Sequence, residues 1–304
     1  MFSTVPVTAA AAVAAHPDAL EREGTFDEFR PGDGYDAGLY VHHDVAAPLD
    51  GWQAVTPEQE ARFREQGFLA IENAFTPEEV QGALEGMLRL IAGGVPGYRG
   101  VQFEAASREL LPSLSPEQKQ DVVRKISHFT QHDARLHAMA THPQLLAFAE
   151  RLIGDKPGIF EDKALIKPPK IGREKPWHQD HAYWNLPLDA RVVTAWIALD
   201  DAGLDNGCMF LIPGSHREGP VAHFKRRDWQ ICDDQVQRPR VVAAPLKPGG
   251  VLLFDSYLQH GTPANTSPKR RRALQFVYVP ATAGRITPAE RLAVFGSEGK
   301  DVQC

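Results

Sequence analysis

The first half of the chain has the apolar spacing and the capping residues of short helices. Thr56 and Thr76 each precede a proline and acidic residues, which is the pattern of a helix N-cap followed by the first helical turn. The short apolar run at 68–71 predicts a strand between these two helices. Further apolar patterns predict helices over residues 115–128 and 142–153. We therefore expect a mainly helical first half.

The period of the apolar residues changes after Pro157. From there, short runs rich in β-branched and aromatic residues alternate with Gly, Pro, Asp and Asn, which is typical of strands separated by turns. The strand candidates are residues 159–167, 191–199, 208–212, 250–256 and 271–279. No helix-length apolar pattern lies between them, so an antiparallel sandwich or barrel is favoured over a parallel α/β sheet.

The composition of the start of the chain differs from that of the rest. Residues 31–51 are rich in Gly, Pro and Asp without a clear period. We predict an irregular N-terminal arm over residues 1–55 and a single domain over residues 56–304. No apolar run approaches the ~20 residues that a membrane span needs, and the Ala-rich start has no preceding Lys or Arg, unlike a signal peptide. The expectation is a cytoplasmic protein with no membrane partner.

Charge and cysteine content narrow the function classes. The chain has 33 Lys and Arg against 39 Asp and Glu, a formal net charge of −6. It lacks the overall basic field that phosphate backbones reward, so no nucleic-acid partner is expected. Its three scattered cysteines are too few for a disulfide framework or a thiolate zinc site. The sequence makes no prediction of oligomeric state.

A His-x-Asp triplet, His178-Gln179-Asp180, follows the predicted strand at 159–167. In an extended chain residues i and i+2 project to the same side, so this imidazole and this carboxylate can face one ion. Two other His-x-Asp triplets, at 16–18 and 42–44, lie in the predicted arm, where no strand would fix their geometry. The triplet at 178–180 is therefore the metal-binding candidate.

A third ligand candidate, His260, follows the predicted strand at 250–256. In a barrel this strand can lie beside the chain that carries His178, so two imidazoles and the Asp180 carboxylate can form one face around an ion. Three protein ligands leave the opposite positions open, and oxygen chemistry at Fe(II) needs those positions for a co-substrate and for O2. The pattern predicts an Fe(II) site, and the alternative is that these histidines are core or surface groups that bind no metal.

Arg271 begins the last predicted strand. A keto-acid co-substrate that chelates iron has a far carboxylate, to which a guanidinium offers a planar two-point match. Thr262 can add a hydroxyl. Strand alternation puts Arg271 and Gln275 on one face, and Arg270 and Arg272 on the other. The alternative is that these basic residues form a turn in solvent.

Together these motifs resemble the phytanoyl-CoA dioxygenase family of Fe(II)- and 2-oxoglutarate-dependent oxygenases. The matching residues are His178-Gln179-Asp180, Asn206-Gly207-Cys208, Pro213-Gly214-Ser215-His216, Gly249-Gly250, His260-Gly261, Asn265 and Arg271. The resemblance implies an α+β fold, a double-stranded β-helix (jelly roll, cupin-like) core buttressed by N-terminal helices. It also implies an enzyme that hydroxylates an unactivated C–H bond of a small molecule, with conversion of 2-oxoglutarate and O2 to succinate and CO2.

The resemblance assigns roles to the candidate residues. It implies that His178, Asp180 and His260 bind the iron and carry catalysis. Arg271, with help from Thr262, would hold the far carboxylate of 2-oxoglutarate. The Asp180 carboxylate also separates this chain from halogenating relatives, which have a small residue at that position.

Further matches concern the surroundings of the iron. Trp196 lies where the family has a tryptophan beside the co-substrate, and Lys125 resembles a family lysine that reaches 2-oxoglutarate. Gln179 matches the family residue between two ligands, where it would face the substrate. Lys163 departs from the family, whose members often have methionine there.

The sequence leaves the substrate and two alternative functions open. Acyl-CoA esters, amino-acid derivatives and natural products are all substrates in the family, and loops at 92–107, 183–189 and 224–237 are candidates for setting specificity. One alternative is a metal-binding jelly roll that is not an oxygenase, although Arg271 argues against it. The other is a catalytically silent sensor that binds iron and 2-oxoglutarate.

Overall fold

The computed structural model of the protein describes residues 34–296. The helices are α1 (Pro57–Gln66), α2 (Pro77–Ile91), α3 (Pro116–Lys119), α4 (Ala134–Ala140), α5 (Pro143–Ile153) and α6 (Pro288–Phe295). The strands are β1 (Asp44–Val45), β2 (Leu49–Asp50), β3 (Phe68–Glu72), β4 (Val101–Phe103), β5 (Val123–Ser127), β6 (Pro157–Lys167), β7 (Lys175–His178), β8 (Val193–Ala198), β9 (Met209–Leu211), β10 (His223–Lys225), β11 (Trp229–Ile231), β12 (Val242–Ala244), β13 (Val251–Asp255), β14 (His260–Thr262) and β15 (Arg271–Pro280).

Most of the strands belong to two sheets. The larger sheet has the order β2-β3-β13-β8-β15-β6-β5-β4, and the smaller has the order β1-β12-β9-β14-β7. Strands β10 and β11 form a separate hairpin. Trp196, Leu211 and Phe254 belong to one buried cluster to which both sheets contribute. The fold is the predicted double-stranded β-helix within an α+β architecture.

Helices cover the other face of the larger sheet. Helix α5 contributes Leu145, Phe148 and Leu152 to a second buried cluster, which also contains Leu253 of β13 and Phe276 of β15. Because successive residues of a strand point to opposite faces, β13 and β15 supply side chains to both layers. The helices therefore buttress the sheet as predicted. Within residues 34–296, no helix is long and apolar enough to cross a membrane.

The turn into β13 depends on Gly249. Its φ is +86°, in the left-handed region that favours glycine. A Cβ at this position would lie 2.5 Å from the carbonyl oxygen of Phe75. The Phe75 N–H also donates to the Gly249 carbonyl at 3.0 Å. This close approach fixes the start of β13, the strand that leads to His260.

The predicted helix over residues 115–128 is wrong. A capping box at Ser115 begins the short helix α3, but the chain then becomes strand β5, which pairs antiparallel with β6. Val123 and Ile126 are β-branched and favour an extended chain, and β6 offers an edge with which to pair. Tertiary pairing overrides the helical pattern, and Lys125 consequently lies on a strand.

The described part of the predicted N-terminal arm contributes to both sheets. Strand β1 pairs with β12 and β2 pairs with β3, both in parallel. Tyr40 stacks on Trp177 with ring centroids 5.8 Å apart, and it meets Phe210 edge-on at 5.5 Å. Residues 1–33, with the His-x-Asp triplet at 16–18, lie outside the described residues. The domain boundary after residue 55 stays a prediction.

Candidate iron and 2-oxoglutarate site

The three predicted iron ligands come together through strand pairing. His178 ends β7, Asp180 opens the turn that follows it, and His260 begins β14. Strands β7 and β14 pair antiparallel with His178 directly opposite His260, which places the two imidazoles side by side. The three residues are 4%, 5% and 3% exposed. The site is therefore buried.

The ligand atoms of the three residues converge on one point. Oδ1 of Asp180 lies 3.5 Å from Nε2 of His178 and 3.7 Å from Nε2 of His260. One ligand atom from each residue lies within 4.8 Å of the others. Within residues 34–296 no other group of three His, Cys, Asp or Glu side chains has this spacing. The arrangement fits one shared divalent ion.

Backbone carbonyls set the tautomer of both histidines. Nδ1 of His178 lies 2.7 Å from the Pro176 carbonyl oxygen, and Nδ1 of His260 lies 2.8 Å from that of Leu258. A carbonyl only accepts, so each Nδ1 carries the proton and each Nε2 presents its lone pair to the metal site. Burial lowers the pKa of His260 to about 3, which keeps this ring neutral near pH 7.

The Asp180 carboxylate is ionised, and hydrogen bonds to one of its oxygens orient it. Burial by itself would raise its pKa, but the contacts with His178 and His260 outweigh burial and lower the pKa to about 2. Oδ2 accepts hydrogen bonds from the Thr194 hydroxyl at 3.3 Å and the Gln275 amide at 3.4 Å. Oδ1 is thereby left to face the ion.

Arg271 and Thr262 bring buried donors that lack partners. Arg271 is 3% exposed, its Nη1 donates to the Leu165 carbonyl at 2.9 Å, and its guanidinium carbon lies 5.4 Å from the centre of the Trp196 ring. Its Nε and the Thr262 hydroxyl oxygen have no hydrogen-bond partner among the described residues. Buried polar groups rarely stay unpaired in native proteins. A carboxylate accepts hydrogen bonds from guanidinium and hydroxyl groups, so the chemistry of each donor suits the predicted contact with the far end of 2-oxoglutarate, which stays a prediction.

The arginines that flank Arg271 point the other way. Arg270 pairs with Asp121 at 2.5 Å, and Arg272 pairs with Asp200 at 2.6 Å. Only the middle guanidinium of the three is enclosed in the interior. The alternation predicted for this strand is present, and the alternative of a basic turn in solvent describes Arg270 but not Arg271.

Lys125 lies on β5, directly opposite Leu165 of β6. Burial, with a smaller contribution from the nearby charge of Lys163, lowers the pKa of Lys125 to about 8. Among residues 34–296 no carboxylate forms an ion pair with it. Its predicted contact with 2-oxoglutarate stays a prediction.

Gln179 is fully buried between the two ligands of the triplet. Its amide nitrogen donates to the carbonyls of Gly219 and Tyr257, at 2.9 and 2.7 Å, and its oxygen accepts from the Val221 N–H at 2.8 Å. The amide therefore fastens the ligand turn to two other segments. Its predicted role toward the substrate stays a prediction.

Three residues at the site were not predicted from the sequence as functional. Thr194 and Gln275 orient Asp180, and Nε2 of His223 accepts the Gln179 backbone N–H at 3.0 Å. Strand alternation already placed Gln275 on the face of Arg271, so a signal for it existed. Nothing in the sequence distinguishes His223 from the other histidines.

Two of the predicted specificity loops meet next to the metal ligands. The Tyr183 ring lies 5.5 Å from the His178 ring, and its hydroxyl donates to the carbonyl of Trp229. In the third predicted loop, the Tyr98 hydroxyl donates to the Ser127 carbonyl at 2.6 Å.

Known proteins resemble this chain in sequence and in structure. Phytanoyl-CoA dioxygenase domain-containing protein 1 of Danio rerio is 27% identical over 260 residues, which cover 73% of this chain and 89% of that protein. Ectoine dioxygenase of Sphingopyxis alaskensis is 26% identical over 243 residues, which cover 74% and 76%. The crystal structure of SnoK, a non-heme alpha-ketoglutarate-dependent carbocyclase from nogalamycin biosynthesis, superposes with a TM-score of 0.63 at 24% identity. That superposition covers 84% of this chain and 96% of SnoK.

A family model also matches the chain. A model of the family described as phytanoyl-CoA dioxygenase (PhyH) matches residues 63–273, which is well over half of the chain. The matched region contains the three converging ligands and Arg271. The chain therefore belongs to the phytanoyl-CoA dioxygenase family, as its motifs predict.

Proposed function

We propose that this protein hydroxylates an unactivated C–H bond of a small organic substrate and converts 2-oxoglutarate and O2 to succinate and CO2 in the same cycle. The enzyme class follows from the family: the chain is a non-haem dioxygenase whose cofactors are Fe(II) and 2-oxoglutarate. The observation that carries the proposal is the convergence of His178, Asp180 and His260 in a fold that also buries the unpaired donors of Arg271 and Thr262.

At the metal, the protein supplies three ligands on one side of the ion and leaves the opposite coordination positions free. Two neutral imidazoles and one carboxylate suit Fe(II) and leave positions for further ligands. When bound, iron and 2-oxoglutarate supply the activation of O2 that C–H oxidation requires. His178 and His260 present their Nε2 lone pairs, and Asp180 presents Oδ1 while Thr194 and Gln275 hold its other oxygen.

The co-substrate would be bound by groups on the inner face of the larger sheet and on β14. The Arg271 guanidinium would pair with the far carboxylate and the Thr262 hydroxyl would donate to it, while Trp196 packs against the guanidinium. Lys125 would reach the same molecule with its ammonium group. A metal-binding jelly roll that needs no 2-oxoglutarate gives these buried donors no partner. The Asp180 carboxylate occupies the position that halogenating relatives keep small, which favours hydroxylation.

The proposal is tested by the release of succinate from 2-oxoglutarate in air with Fe(II). We expect Asp180→Ala and His260→Ala to reduce this release to the level of a protein-free mixture, because each removes an iron ligand. Asp205→Ala is the matched control, since that carboxylate is exposed and pairs with Lys269 at the surface. Succinate release that persists in either ligand variant would contradict the proposed function.

A further inference from the structure

Two ion pairs lie beside the iron ligands. On β6, the Lys163 ammonium is 2.5 Å from a Glu161 carboxylate oxygen. On β7, the Lys175 ammonium is 2.7 Å from an oxygen of Asp228, which lies in the loop between β10 and β11. Neither pair joins the larger sheet to the smaller one, because the first lies within β6 and the second links β7 to the loop between β10 and β11.

Both pairs reach the metal site through a single intervening residue. Lys163 lies directly opposite Gln275 in the sheet, and Gln275 donates to Asp180. Lys175 donates to the Tyr183 hydroxyl at 2.8 Å, and the Tyr183 ring contacts the ring of His178. The two pairs therefore approach the ligands from the larger sheet and from the smaller sheet.

The four charged side chains meet solvent although the ligands do not. The side chains of Lys163 and Glu161 are 23% and 16% exposed, and those of Lys175 and Asp228 are 31% and 28% exposed. The side chains of the three iron ligands are 3–8% exposed. The Lys163–Glu161 and Lys175–Asp228 pairs thus form a partly exposed, charged wall beside the buried ligands.

Neighbouring indole and backbone groups orient the two carboxylates in advance. The Trp184 indole N–H lies 3.3 Å from the second oxygen of Glu161, and the backbone N–H of Trp229 donates to Asp228 at 2.7 Å. Two further charged groups lie near them. The pKa of Lys125 responds to Lys163, Glu161 and Lys175, and the Arg124 charge acts on Lys175 and Asp228. The wall thus presents fixed charges of both signs.

An apolar chain placed on this wall would strip water from the ion pairs and return no hydrogen bonds, which is costly. A molecule with charged groups of its own would replace that water with charge-assisted hydrogen bonds. We propose that the substrate is a small zwitterion, recognised by the Lys163–Glu161 and Lys175–Asp228 pairs, and not a molecule with a long acyl chain. This inference rests on the proposed function of the site.

The first test compares two sets of probes on the wild-type protein loaded with Fe(II) and 2-oxoglutarate. One set is the proteinogenic amino acids and glycine betaine, and the other is palmitate and palmitoyl-CoA. We expect at least one zwitterion, and neither palmitoyl compound, to raise succinate release above the substrate-free rate. Stimulation by a palmitoyl compound, or by no zwitterion of the set, overturns the inference. The proposed function fails separately, through the absence of any succinate release.

The second test asks whether the two ion pairs recognise the substrate. Lys163→Met and Asp228→Asn should each raise the KM of the stimulating zwitterion about tenfold or more, because each removes a charge-assisted contact. Both variants should keep the wild-type affinity for 2-oxoglutarate, which shows that the site is intact. Lys269→Met, which alters a surface pair with Asp205, is the matched control. A KM that is unchanged in both variants overturns the inference.

Discussion

At the residue scale, Asp180 divides its two oxygens between the protein and the ion. Thr194 and Gln275 donate to Oδ2, while Oδ1 faces the imidazoles of His178 and His260. Outer partners of this kind orient a ligand before the metal arrives and tune how tightly it binds. We therefore expect Gln275 to affect metal affinity without contact with the ion.

Replacing that partner should weaken iron binding. We expect Gln275→Leu to raise the Kd for Fe(II) about ten- to hundredfold, because the Asp180 carboxylate loses a donor and its fixed orientation. Anaerobic titration with Fe(II) measures this Kd. The matched control is Gln53→Leu, whose amide donates to a backbone carbonyl at an exposed turn. Equal Kd values for wild type and Gln275→Leu would argue against the role.

The same contacts show what the sequence can and cannot predict about single residues. Alternation along one strand suffices to put Arg271 inside and Arg270 outside. The contact of Gln275 with Asp180 depends on how β15 sits against the turn after β7, and that relation joins residues far apart in the chain. His223 likewise receives its role only from a segment 44 residues away.

At the element scale, strand pairing explains why residues 115–128 do not form the predicted helix. Residues 115–128 carry a genuine helix start at Ser115, but β6 offers an edge and β5 fills it. A local pattern contains no information about such an edge. Strands β6, β8, β13 and β15 could be predicted because their β-branched runs and alternation are local properties.

The turn into β13 gives an element-scale prediction. Gly249→Ala should destabilise the protein by about 1–3 kcal/mol, because the new Cβ meets the Phe75 carbonyl oxygen in a left-handed backbone conformation. Gly93→Ala is the matched control, since Gly93 has a φ of +80° and open space around it. Urea unfolding measures the free energy of unfolding of both variants. A decrease for Gly249→Ala that is no larger than that for Gly93→Ala would refute the steric argument.

At the scale of the whole molecule, a buried ion-pair network connects three separate segments. Arg227 pairs with Glu174 at 2.7 Å and with Asp233 at 2.7 Å, and the Tyr40 hydroxyl donates to Glu174 at 2.7 Å. Glu174 immediately precedes β7, Tyr40 belongs to the N-terminal segment, and Arg227 follows β10. The network therefore ties the ligand-bearing strand to the segments that cover it.

Removal of the central cation should be costly. We expect Arg227→Leu to lower the free energy of unfolding by about 3–5 kcal/mol, because it leaves the buried Glu174 carboxylate without its cation. Arg238→Leu, which breaks an exposed pair with Asp36, should cost at most about 1 kcal/mol. Urea unfolding measures both. Similar losses for the two variants would show that the network does not carry this stability.

The central claim is that Arg271 holds 2-oxoglutarate on an iron bound by His178, Asp180 and His260. Anaerobic addition of 2-oxoglutarate to the Fe(II) protein, followed by the visible metal-to-ligand charge-transfer band, tests it most directly. We predict a band in wild type and in Arg270→Ala. In Arg271→Ala, the 2-oxoglutarate concentration that gives half of the full band intensity should be about tenfold or more higher. The account would be contradicted if wild-type protein with bound iron gave no band, or if this concentration were unchanged in Arg271→Ala.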